Sequence, residues 1–234
     1  SFVLESQYPL GGWPQRYPLK YEYSHDGLPD YTSFYTFSGT EIIWGNIEFL
    51  IHCYEGLGDE RFLDPIRRGM NFFLITQQGN PQGGWGYQYD MNLKPASARS
   101  FEPAALSPPQ TYNQILLLMR FYEYTGDRKF LARIPDAIRW LKNCRLPDSM
   151  NEGGLRTHSL SVEMGTNKPL FPHRKGHGVT DGHYWVDYSD RDIITHLGQK
   201  HFIDINTLEK EFDRVNALSP EEATKNSPLK LSHG

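Results

Sequence analysis

IEFLIHCYEGLGDERFLDPI (residues 47–66) and ILLLMRFYEYTGDRKFLARI (residues 115–134) are two copies of one pattern. At an offset of 68 they agree at nine positions: Ile47/Ile115, Leu50/Leu118, Tyr54/Tyr122, Glu55/Glu123, Gly58/Gly126, Asp59/Asp127, Phe62/Phe130, Leu63/Leu131 and Ile66/Ile134. A glycine pair runs in phase with them. It opens Gly11-Gly12-Trp13, returns at Gly83-Gly84-Trp85 after 72 residues, and returns again at Gly153-Gly154-Leu155 after 70. A fixed period of this length marks an array of similar structural units.

Inside a unit the apolar residues fall at helical spacing. Leu63, Ile66, Met70 and Phe73 form one stripe, and Leu131, Ile134, Ile138 and Leu141 form its copy. Upstream, Ile47, Leu50, Ile51 and Tyr54 match Ile115, Leu118, Met119 and Tyr122. Between the stripes, Gly58 and Gly126 suit left-handed helix ends, and Asp59 and Asp127 suit the cap of the next helix. Pro65 and Pro135 lie early in the second helix, which is expected to start late or bend there. Each unit is therefore a helical hairpin followed by a glycine-rich loop carrying an aromatic. The expected fold is all-α: an (α/α) toroid over residues 1–218 with long aromatic-rich loops lining a cleft. A polar C-terminal tail is expected over 219–234.

The chain has 234 residues, enough for one sizeable core. Its net charge of −4, without a basic run, argues against nucleic acid or an anionic membrane surface as a partner. No stretch is apolar for long enough to span a bilayer. Ser1 in place of Met leads to the expectation that an upstream segment has been removed. Cys53 and Cys144 sit on helical stripes and read as small apolar side chains. The chain carries 14 Tyr, 13 Phe and 5 Trp, many of them between the helices. Aromatic loops with Gly and Asn suit sugar rings, whose apolar faces pack on aromatic faces. Packing of those aromatics on neighbouring loops is the competing reading.

Two loops concentrate charge. GGWGYQYDMNLKPASARSFEPAALS, from Gly83, holds Gln88, Asp90, Arg99 and Glu102. Two carboxylates beside Asn92 suit a hard cation, completed by backbone oxygens and water. Arg99 suits a bidentate clamp on a carboxylate. Alternatively, Arg99 and Glu102 pair with each other and Asp90 is a turn residue. The second loop, Thr166 to Asp192, gathers His173, Arg174, Lys175, His177, Asp181 and His183. It has no H-E-x-x-H frame for zinc. A cationic loop facing an acidic one across a cleft suits an anionic sugar.

Several stretches, in order, resemble the catalytic domain of polysaccharide lyase family 10 pectate lyases. GGWPQRYPL (Gly11–Leu19) is similar to that family's opening motif, and TFSGTEIIWGNIEFL (Thr36–Leu50) to its TFND segment. The stretch from Gly83 to Ser107, ARSFEPAALS above all, resembles its AWCQQHD…ARxYExxSLS loop. IRWLKNCRL (Ile138–Leu146) is similar to its AVxWF segment, and TNKPLFPHRKG (Thr166–Gly176) to TNxPxFxxRDG.

The resemblance implies calcium-assisted β-elimination on polygalacturonate or a related uronic-acid polymer. A base removes the C5 proton beside the uronate carboxylate, and the C4–O bond breaks. By position the base is Arg174. Calcium is expected at Asp90, with help from Glu102. Substrate contacts are expected from Arg99, Gln88, Tyr89, Trp85, Lys175 and Arg16. A monomer, secreted or periplasmic, is expected, with the acidic polysaccharide as its partner. The chain departs from the pattern where Ser38-Gly39 replaces Asn-Asp, with Glu41 the nearest acidic residue, and where Lys175 replaces Asp. Those departures support the alternative of a lyase-like domain that binds acidic polysaccharide without cleaving it. RGMNFFLITQQGNPQGGW (Arg68–Trp85) also resembles the QW motif of terpene cyclases, but no D-x-D-D or D-D-x-x-D acidic motif accompanies it.

Overall fold

A computed structural model describes residues 2–19, 31–99, 101–176, 183–194 and 199–230, without the side chains of 38–41. The α-helices are α1 (Phe2–Ser6), α2 (Ser38–Leu57), α3 (Leu63–Thr76), α4 (Pro108–Thr125), α5 (Ile134–Asn143), α6 (Ile205–Ala217) and α7 (Pro220–Ala223). The strands are β1 (Tyr35–Thr36), β2 (Gln88–Tyr89), β3 (Ser161–Val162), β4 (Pro169–Lys175) and β5 (His183–Asp187).

The repeat builds two helical hairpins, α2–α3 and α4–α5. Its apolar matches are the core: Ile47, Leu50, Ile66, Ile115, Leu118 and Ile134 are all buried. Gly58 (φ 64°) and Gly126 (φ 69°) close α2 and α4 in the left-handed conformation. Asp59 and Asp127 each accept a backbone N–H two residues on, from Arg61 and Lys129. Each caps a short 3₁₀ turn. In the first hairpin that turn runs straight into α3. In the second, α5 starts only at Ile134, with Pro135 in its first turn.

The glycine pairs work by close approach. A Cβ on Gly12 would lie 2.5 Å from the Tyr35 ring and 2.9 Å from Phe72 of α3. A Cβ on Gly84 would lie 2.4 Å from the Trp140 ring of α5. Each loop therefore presses on the second helix of a hairpin. The following tryptophan is buried, with the Trp13 Nε1–H donating to Val3 O and the Trp85 Nε1–H to Phe73 O, both at 2.9 Å. A glutamine fixes each loop. Gln7 Nε2 donates to Gly11 O (3.0 Å) and Pro65 O (2.9 Å); Gln77 Nε2 donates to Gly83 O (2.8 Å) and Arg133 O (3.0 Å). The third pair makes no such contact. Gly153 and Gly154 sit in a 3₁₀ turn with open space around them, and Leu155 is 72% exposed.

The chain is not all-α. Two small antiparallel sheets form, β1–β2 and β3–β4–β5, so the architecture is mixed. Among the described residues no α-helix occurs between α5 and α6. The segment expected as a loop from Thr166 to Asp192 is largely the β4–β5 hairpin. Its residues alternate between faces, and HYWVD is rich in β-forming side chains. Without a sheet, the backbone groups of these long connections would lack partners. Residues 219–230 lie against α4. Ser219 and Glu222 form a capping box, and Ser227 Oγ donates to Tyr124 O at 2.6 Å.

Gly84→Ala drives a methyl into the Trp140 ring and should destabilise the fold by about 1–3 kcal/mol in urea unfolding. Gly45→Ala, inside α2 with nothing near its Cβ position, should instead add about 0.5–1 kcal/mol. Equal effects at the two sites would remove the close-packing account of the glycine pairs.

Candidate active site

The loops expected to carry chemistry are tied together by backbone hydrogen bonds. Thr36 N–H donates to Trp13 O, Arg16 N–H to Thr32 O, and Phe37 N–H to Tyr87 O at 2.8 Å. Tyr35 and Thr36 pair with Tyr89 and Gln88. Leu106 exchanges bonds with Val162 of β3, and β3 pairs with β4. The Gly11 loop, the start of α2, the Gly83 loop and β4 thus form one connected end of the molecule.

The candidate residues separate into two groups. Trp85 and Tyr89 are fully buried, and Gln88 is 3% exposed. The Tyr89 hydroxyl accepts the Gly86 N–H at 2.8 Å, and burial raises its pKa above the ordinary phenol value. Gln88 Nε2 donates to Ala96 O at 2.6 Å. These three side chains hold the loop from beneath and offer a ligand no surface in this arrangement. Arg16, Arg174 and Lys175 are exposed. His177 and Asp181 lie outside the described residues, as does the Glu41 side chain.

Arg99 and Glu102 form a bidentate pair, Nε–Oε2 3.0 Å and Nη2–Oε1 2.8 Å. Glu102 Oε2 also accepts the Arg99 backbone N–H. That bonding keeps Arg99 above its ordinary pKa against an opposing contribution from burial. Asp90 makes an Asx-type turn: its Oδ1 accepts N–H groups from Asn92 (2.8 Å) and Lys94 (3.0 Å).

Strand alternation divides β4. His173 is buried, with Nε2 2.8 Å from Asp187 Oδ1 and its ring stacked on Trp185. Arg174 points to the other face, where it pairs across the sheet with Tyr184. The Tyr184 ring lies 5.4 Å from the Phe101 ring, and the Arg99 guanidinium sits 4.9 Å from the centre of Phe101. Phe101 and Tyr184 thus join Arg99 to Arg174 along one wall. Neither aromatic was singled out as a site residue by its motif. Burial along β4 runs unbroken from Leu170 to His173, so no alternation in the sequence marks Tyr184, and only the strand pairing places it opposite Arg174. Among the described residues, Arg174 and Lys175 have no ion-pair partner.

The pectic acid lyase family profile matches residues 1–188. No curated protein matches the chain in sequence. The fold is similar to that of a family 10 polysaccharide lyase from Cellvibrio cellulosa, at TM-score 0.55 and 18% identity over 97% of this chain. An alanine variant of a family 10 polysaccharide lyase from Cellvibrio cellulosa, in complex with trigalacturonic acid, aligns over 59% of the chain at TM-score 0.45 and 21% identity. The chain spans 64% and 44% of the lengths of these two structures.

The donor set does not make a preformed calcium cage. No three His, Cys, Asp or Glu side chains cluster among the described residues. Glu102 is closed by Arg99, and Asp90 Oδ1 is committed to its own turn. Calcium bound to a protein takes six to eight oxygens. In the absence of polymer, millimolar calcium should therefore leave the thermal midpoint within about 1 °C of its value in chelator, because only a bound ligand stabilises the native state. A rise of several degrees would show a resident site that these residues do not supply.

Proposed function

This chain belongs to the pectic acid lyase family, and we propose that it cleaves a uronate polymer, polygalacturonate or a close relative, by β-elimination outside the cell or in the periplasm. The observation that carries the reading is the wall on which Phe101 and Tyr184 join Arg99 to Arg174. A polyanion meets exposed cations there, next to aromatic faces that suit sugar rings.

In this reading Arg174 takes the C5 proton. The electron pair moves toward the uronate carboxylate, the C4–O bond breaks, and the departing oxygen takes a proton from water. The product is a 4,5-unsaturated end. A guanidinium normally keeps its proton. Arg174 is exposed in the free protein, so its activation belongs to the complex. There the polymer covers the side chain and excludes water from it. Arg99 spends Nε and Nη2 on Glu102 and keeps Nη1 for a substrate carboxylate. Neutralising that carboxylate makes C5–H more acidic.

A second reading is favoured by Ser38-Gly39, which opens α2 where the resembling family carries Asn-Asp. In it the same wall holds acidic polysaccharide without turnover. Incubation with polygalacturonate, followed by the ultraviolet absorbance of unsaturated ends, separates the two. Growth of the signal is expected in wild type. Arg174→Ala should lower kcat by about 10²–10⁴, the usual contribution of a positioned base, with KM changed only a few-fold. An unchanged kcat would remove Arg174 as the base. Binding of the polymer without unsaturated ends would establish the second reading.

A further inference from the structure

His173 is the one ionisable side chain of β4 that is buried, and the proton abstraction above makes no use of it. It precedes Arg174 in the chain and faces the other way, into the protein. Arg174 is exposed and has no ion-pair partner among the described residues. Its place is therefore set by the strand that carries it and by the strand paired with it.

That partner, β5, lies at the edge of its sheet, and none of its five residues is buried. Apolar burial therefore does little to hold it. Pro172, opposite Val186, brings no N–H to the sheet. One carboxylate supplies the missing hold. Asp187 Oδ1 lies 2.8 Å from His173 Nε2 and accepts the Ser189 N–H at 2.8 Å; its Oδ2 accepts the Trp185 Nε1–H at 3.1 Å. The Ser189 N–H above all, with Trp185 and His173, keeps the Asp187 carboxyl below its ordinary pKa. An ionised carboxylate only accepts, so His173 Nε2 carries the proton. The His173 ring also stacks on Trp185, 5.3 Å between centres and 17° between planes. Asp187 thus joins β5 to β4 on the face away from Arg174. The strand it holds carries Tyr184, which stands opposite Arg174 and packs on Phe101, where Arg99 sits.

We propose that His173 is a positioning residue for Arg174: its bond to Asp187 locks β5 onto β4 and so fixes Tyr184 and Arg174 on the substrate face. The use of this lock in turnover rests on the lyase reading above; the lock itself does not. Two measurements on the same samples separate them: hydrogen exchange of the β4 and β5 amides, and the formation of unsaturated ends from polygalacturonate.

His173→Leu fills the space but has no donor. It should speed exchange in β4 and β5 by about tenfold or more while the amides of α2 to α5 keep their rates, because the opening is local. It should lower kcat by about tenfold to a hundredfold with KM within about threefold, the pattern of a reacting group misplaced while binding is kept. His173→Gln, whose Nε2–H can reach the same carboxylate without the ring, should restore both to within about threefold of wild type. Asp187→Ala removes the acceptor instead, at a side chain that is 45% exposed, and should repeat the His173→Leu result even where that variant folds poorly. Unchanged exchange in both variants overturns the lock. Faster exchange with unchanged kcat overturns the positioning role and leaves the lyase reading standing. A glutamine variant that behaves like the leucine one overturns the hydrogen bond as the cause. Wild type that makes no unsaturated ends removes the lyase reading, and the lock then stands or falls on exchange alone.

Discussion

Two glutamines, half-buried Gln7 and buried Gln77, set the geometry on which the rest of the fold depends. Each uses one Nε2 group to hold two carbonyls, one on a glycine pair and one at the start of a hairpin's second helix. The bonds are worth on the order of 1 kcal/mol each. Their larger effect is positional. They require the loop backbone to lie against the helix, where a Cβ on Gly11 would come within 2.0 Å of Arg68 O. Only glycine fits, and the tryptophan that follows enters the core.

That docking decides where the Gly83 loop goes. With Trp85 buried, the next residues leave along β2 and pair with β1 ahead of α2. Gln88 and Tyr89 are carried inward and spend their polar atoms on the loop itself. Charge reaches the surface beyond this ladder, at Arg99 and Glu102, and again at the tip of β4. The buried part of the candidate site is therefore apolar and neutral, and its charged side chains form the rim.

The sequence was most readable where packing repeats. Ile47/Ile115 and Ile66/Ile134 recur because both copies fill the same core, and Gly58 and Gly126 recur because both helices stop the same way. It was least readable in the connections. Strands of two residues carry too little pattern to register, and Pro172 interrupts the alternation of β4. The aromatics of the Gly83 loop suit a sugar platform and a core equally well by composition. Tertiary packing chose the core for Trp85 and Tyr89. For Arg99, Glu102 and Asp90 the choice fell on the ion pair and the turn. The glutamine clamp is not marked by the matched blocks, because Gln7 and Gln77 lie outside them, although their spacing of 70 follows the same period.

The third unit explains where the candidate catalytic side chains lie. One more period beyond Gln77 places Pro147, which has no amide to make the clamp. Gly153 and Gly154 consequently meet no helix, and the β3–β4–β5 sheet follows them in place of another hairpin. A repeated loop is buried by the helix it docks on, so its side chains are used up in packing. The aperiodic segment has no such partner and leaves Arg174 and Lys175 at the surface. The repeat builds the platform, and the candidate catalytic side chains lie where the repeat stops.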